Sequence, residues 1–109
     1  MTLDEYQDLA ARTISTPYID EMEKHALSGL VSEVGELHGL YQKLYQGHEW
    51  DGDHAKKEVG DVLWFVAEYC TAMAWSLEEI AEMNIEKLRA RYPDGFDAEH
   101  SIHRKKGDI

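Results

Sequence analysis

Apolar positions along this chain recur at helical intervals and nowhere alternate as a strand would. Thr2 and Glu5 have the spacing of a capping box, and Leu3, Tyr6, Ala10 and Ile14 follow, which predicts a first helix to about Ser15, stopped by Pro17. After a polar stretch over residues 16–23, a second and longer helix carries Leu27, Leu30, Val31, Val34, Leu37, Tyr41, Leu44 and Tyr45 as one stripe. Residues 46–53 break the pattern, with Gly47 and Gly52 as punctuation and Asp51 or Asp53 available as an N-cap. A third helix then starts near His54, with Ala55, Val59, Val62, Leu63, Val66, Tyr69, Cys70 and Met73 as its apolar face. Ser76 and Glu79 repeat the capping-box spacing and open a fourth helix through Ile80, Met83, Ile85 and Leu88, closed by Tyr92-Pro93-Asp94-Gly95-Phe96. The expectation is an all-α, four-helix domain over residues 1–96. Residues 97–109, poor in apolar side chains, read as a loose or partner-contacting tail.

The polar positions change this picture at one place. Glu33 and Glu36, then Glu58 and Asp61, form two acidic pairs of equal spacing on the margins of the second and third helices. Residues three apart on a helix lie about 60° apart around its axis, so each pair leaves its helix on one side. If the two helices pack as an antiparallel hairpin, all four acids aim at one spot. Four carboxylates at such range repel unless a cation sits among them. All-carboxylate ligation suits Mg²⁺ or Mn²⁺, whereas a di-iron bundle needs Glu-x-x-His motifs, and no Glu here stands three residues before a His. Chance is the bland alternative in a chain with 22 Asp and Glu. Two pairs beside Gly35 and Gly60, which would let helices or ligand approach closely, favour the metal site.

Composition narrows the function classes. A length of 109 residues suits one domain, and a formal charge of -11 argues against a nucleic-acid or anionic-membrane binder. Cys70 is the only cysteine, which leaves no intrachain disulfide and no cysteine zinc site, and its apolar neighbours mark it as a buried inert thiol. The N-terminal stretch does not resemble a signal peptide, no apolar run approaches the ~20 residues of a membrane span, and the cytoplasm is the expected compartment.

A carboxylate-held Mg²⁺ binds substrate phosphates and activates water for attack on phosphorus, and the remaining phosphate charge calls for cations. Asn84, Lys87 and Arg91 recur at i, i+3 and i+7 on the fourth helix, and Lys43 follows Glu36 on the second. The bland reading of each is a solvated face. Trp50, Trp64, Trp75, Tyr6 and Phe65 offer rings for stacking on a base, against core packing as the alternative. His25, His38, His48 and His54 show no pairing in the sequence, and His100 and His103 have metal-like spacing but lie in the tail, so all six read as exposed histidines.

These residues, in this order, resemble the MazG-type nucleotide pyrophosphohydrolases of the all-α NTP pyrophosphatase superfamily. The match runs from Gly29-Leu30-Val31-Ser32-Glu33-Val34-Gly35-Glu36-Leu37 through Lys57-Glu58-Val59-Gly60-Asp61-Val62-Leu63-Trp64 to Asn84-Ile85-Glu86-Lys87-Leu88-Arg89 and Arg91-Tyr92-Pro93-Asp94-Gly95-Phe96. The resemblance implies Mg²⁺-dependent hydrolysis of a (d)NTP to (d)NMP and pyrophosphate, in house-cleaning or nucleotide-pool control. It implies Glu33, Glu36, Glu58 and Asp61 as metal ligands, with one glutamate activating the water, and Asn84, Lys87 and Arg91 as contacts to phosphate or sugar. A dimer or tetramer sharing its sites is also implied. The chain departs from many relatives at Ser32, where they carry a further Glu, and at Phe65, where pyrimidine-specific ones carry Tyr.

Oligomerisation also follows from the residues, because the apolar stripes of the second and third helices exceed what one small chain covers. Two other readings share parts of this pattern: a non-catalytic helical regulator binding nucleotide or protein, and a pyrophosphohydrolase acting on a phosphoribosyl intermediate.

Overall fold

The computed structural model describes residues 1–109, and it is all-helical. Its elements are α1 (Leu3–Ala11), α2 (Ile19–Tyr45), α3 (Gly52–Ala72), α4 (Leu77–Arg91) and α5 (Ala98–Ile102). The chain divides into two compact units, Met1–Leu77 and Glu78–Ile109. No helix is long and apolar enough to cross a membrane.

In the first unit, α2 and α3 pack as an antiparallel hairpin, and the facing residues step in opposite directions along the two helices. His25 faces Glu68, Gly29 faces Phe65, and Leu40 shares a cavity wall with His54. Small residues make this close approach possible: Ala26 and Ala55 are buried, and a Cβ on Gly29 would run into the Phe65 ring. Helix α1 lies antiparallel to α3. Gln7 donates from Nε2 to the carbonyl of Trp75 at 2.8 Å and accepts at Oε1 from the Leu77 N–H at 2.8 Å, which ties the start of the chain to the end of α3.

Local sequence explains most boundaries. The capping box at Thr2 and Glu5 is formed in both directions, and Asp51 caps α3 through a 3.0 Å bond from the His54 N–H. Helix α1 ends at Ala11, short of the expected Ser15 and well before Pro17. Its last N–H groups, on Arg12, Thr13 and Ile14, reach back only three residues, and the Thr13 hydroxyl oxygen accepts the Trp64 indole N–H at 2.8 Å, which draws the chain away from the helix axis. Residues 97–109, expected to be a loose or partner-contacting tail, contain the fifth helix, capped by Asp97, and Asp108 is bound to Arg91.

The apolar stripes are only partly covered within the single chain, in keeping with faces wider than one small chain buries. Val31 is 75% exposed, and Leu27, Val34, Tyr41 and Leu44 of α2 and Val59 of α3 are also open to solvent. The seam is filled by the small residues together with Leu40, Glu58 and Glu68 instead. Likewise Gly35 and Gly60, expected to allow close approach, face open space in this chain, and Gly29 makes the close contact.

Helix α3 ends in a Schellman arrangement: the Trp75 N–H bonds the Cys70 carbonyl at 2.8 Å and the Ala74 N–H bonds that of Thr71 at 3.1 Å. The left-handed position is filled by Ala74, at φ 58°, where glycine is usual. Ala74→Gly should therefore stabilise the fold by about 1 kcal/mol, read as a higher urea midpoint at unchanged slope; a lower midpoint would show that Ala74 is not strained.

Candidate metal centre

Glu33 and Glu36 leave α2 one turn apart, and Glu58 comes from the facing turn of α3. Each offers a carboxylate oxygen, and these three atoms lie within 4.8 Å of one another. Asp61, the fourth expected ligand, does not join the group. It is exposed, lies one turn further along α3, and its side chain is one methylene shorter than glutamate; with Glu33, Trp64 and Phe65 it lines an open cleft of about 300 Å³ beside the cluster.

The cluster is electrostatically unsatisfied. Glu58 is 7% exposed, and Oε2 of both Glu33 and Glu58 is shut off from solvent with no hydrogen-bond donor. With no donor at hand, the two carboxyls can satisfy each other only by keeping a proton between them. Glu33 is accordingly pushed up to about 7, first by its hydrogen bond to Glu58, then by burial and by the charges of Glu36 and Asp61. Glu58 is lowered by the same bond, against its burial and with help from His54, whose Nε2–H donates to Glu58 Oε1 at 3.0 Å. A buried polar atom without a partner carries a cost of order 1–3 kcal/mol, more when charged, and a divalent cation is the group that removes it for several carboxylates at once. The donor set therefore fits a hard divalent ion.

Around this point the structure brings in residues the sequence did not single out. His54 sits one helical turn before Glu58, an i, i+4 spacing that carried the signal; the expectation that it is unpaired is overturned. His25 is also paired, through Nδ1 to Glu68 Oε1 at 2.8 Å, and Glu68 is 2% exposed. That contact spans two helices, and nothing local in the sequence announces it. Phe65 packs edge-on against Trp64, ring centroids 5.0 Å apart, and tilted against His25 at 5.4 Å, so the aromatic wall of the cleft is braced. The Tyr6 hydroxyl, raised by burial and then by the charge of Asp61, belongs to the same surroundings. Trp50 lies tilted against Tyr41, ring centroids 4.8 Å apart, and Trp75 meets Tyr69 edge-on at 6.0 Å, so each has an aromatic neighbour away from the cleft while staying half exposed.

Lys43 is exposed and borders a separate cavity of about 150 Å³ with His48, Asp51 and His54. The second unit carries Asn84, Lys87 and Arg91 on α4 as spaced. Asn84 and Lys87 are exposed, whereas the Arg91 guanidinium is taken up by Asp108, with Nε to Oδ2 at 2.8 Å and Nη2 to Oδ1 at 2.6 Å.

Comparison with known proteins points to one family. The family model described as the MazG nucleotide pyrophosphohydrolase domain matches residues 21–96, which include the whole acidic cluster. The Gene 37 protein of Mycobacterium phage L5 is 27% identical over 105 residues, a match covering 87% of this chain and 92% of the phage protein. No solved structure matches the chain.

The raised Glu33 sets a pH dependence. In the unfolded chain this carboxyl loses its proton near its ordinary value, whereas the fold retains it to about 7, so the metal-free protein loses stability as pH rises between those values. A cation takes the proton's place, so its affinity should climb with pH up to about 7 and level above it. Melting curves from pH 5 to 8, in EDTA and in excess Mg²⁺, should show a Mg²⁺-induced rise in Tm that grows with pH. A pH-independent rise, or none, would contradict the shared proton.

Proposed function

The chain belongs to the MazG nucleotide pyrophosphohydrolase family, and on that footing we propose that it is a Mg²⁺-dependent nucleoside triphosphate pyrophosphohydrolase, which splits a (d)NTP into (d)NMP and pyrophosphate in nucleotide-pool control. The observation that carries the reading is the convergence of Glu33, Glu36 and Glu58 with two buried oxygens lacking any donor. Held there, Mg²⁺, or Mn²⁺ in its place, would neutralise phosphate oxygens and make a water more acidic.

The chain's own residues then divide the work. Glu33 and Glu58 anchor the site from the seam, and His54 fixes the orientation of Glu58. Glu36, the exposed member, is open to a water and takes its proton as the water attacks phosphorus. Asp61 extends the acidic surface into the cleft, where Trp64 and Phe65 present ring faces to a base; Phe65 has no hydroxyl, so its contribution is stacking. Asn84, Lys87, Arg91 and Lys43 remain the proposed contacts to phosphate and sugar.

The exposed apolar positions Leu27, Val31, Val34 and Tyr41 on α2 support assembly into a homodimer or homotetramer that covers them.

The test is release of pyrophosphate from a panel of (d)NTPs with Mg²⁺. Glu58→Gln and Asp61→Asn should each lower turnover at least ~100-fold while the helical circular dichroism is retained. The native protein should sediment as two or four chains of 12.5 kDa. No pyrophosphate from any (d)NTP would contradict the activity, and a single-chain mass would contradict the assembly.

A further inference from the structure

The C-terminal unit holds a cavity that the acidic cluster does not explain. About 290 Å³ in volume, it lies between the end of α4 and the segment around and after α5, and its walls include Lys87, Arg91, Arg104 and Lys105 with a single acid, Asp108. Four of the chain's eleven Lys and Arg residues thus meet at one place in a protein of formal charge -11. Two of the four, Arg104 and Lys105, lie beyond the family match, which ends at residue 96.

Asp108 shows what such a place binds. Its carboxylate takes both arms of the Arg91 fork, in the geometry by which a guanidinium also grips two oxygens of a phosphate. The pair is sheltered, with Arg91 and Asp108 side chains 9% and 16% exposed. Asp108 is held below the usual carboxylate range by its bonds to Arg91 and, against some burial, by the charges of Arg91, Arg104 and Lys87. One carboxylate therefore sits where several cations converge, and Lys87, Arg104 and Lys105 have no ion-pair partner of their own. A singly charged group leaves such a cluster under-neutralised; a pyrophosphate group, with more charge and more oxygens, matches it better.

We propose that this cavity is a binding site for a pyrophosphate group, formed by Lys87, Arg91, Arg104 and Lys105, in which Asp108 is an intramolecular occupant that the ligand displaces. The proposal rests on the reading of Lys87 and Arg91 as phosphate contacts and adds to it the tail cations and the competing carboxylate. Binding requires the Arg91–Asp108 pair to open, so the apparent affinity is the intrinsic one scaled by the open fraction.

Calorimetric titration of the full chain with inorganic pyrophosphate, in EDTA so that no metal site contributes, tests this directly. Asp108→Asn should tighten binding about tenfold by removing the charged competitor. The double variant Arg104→Ala/Lys105→Ala, which leaves the Arg91–Asp108 pair in place, should weaken binding at least ~fivefold, and it decides the matter should Asp108→Asn fail to fold. This pattern in a protein without (d)NTP turnover would retain the site and remove the hydrolase reading. Turnover with unaltered pyrophosphate affinity in Asp108→Asn and in the double variant would overturn the site, leave the hydrolase reading intact, and reduce the Arg91–Asp108 pair to a structural clamp.

Discussion

Mutual repulsion among carboxylates held in a helix seam is the constraint on which the rest of this structure depends. Ala26, Gly29 and Ala55 let α2 and α3 come close, and that closeness carries Glu33, Glu58 and Glu68 into surroundings where a lone charge is costly. Histidines meet part of the cost: His25 pairs with Glu68 and His54 with one oxygen of Glu58. Between those two pairs the compensation stops, and the second oxygens of Glu33 and Glu58 are left with no donor. A fold stabilised for its own sake would place apolar groups there. The acids are explained by a cation.

The same packing explains the outward-facing apolar residues. Small side chains and acids occupy the seam, so Leu27, Val31 and Val34 are turned to the surface of the single chain. Seam and surface are two results of one choice of helix face: small residues and acids take the inner face, and the larger apolar groups lie on the outer one. Charge is partitioned as well, with carboxylates gathered on the α2–α3 hairpin of the first unit and a cluster of cations around Asp108 in the second.

Local signals in the sequence were legible. Thr2 with Glu5 and Asp51 ahead of α3 announced caps that the structure forms, and the long periodic runs located α2 and α3. The acidic pairs were visible as spacing, and Glu33, Glu36 and Glu58 do come together. Direction around the helix axis was not legible, because a stripe of Leu and Val states only that a face must be covered, not whether by this chain or by another. Asp61 fell outside the cluster because register between helices, which depends on the Gly29–Phe65 contact, decides whether one further turn still reaches the same point. His25–Glu68 and Arg91–Asp108 join residues far apart in the sequence and are products of the fold. The early end of α1 depended on the Trp64 N–H finding Thr13, a contact across helices that no propensity encodes.

The central claim is that Glu33, Glu36 and Glu58 share one divalent ion. Crystals grown with Mn²⁺ and measured at the manganese absorption edge locate that ion without reference to activity. The account predicts an anomalous peak about 2.1 Å from carboxylate oxygens of all three residues. A peak elsewhere, or none at saturating Mn²⁺, would contradict it.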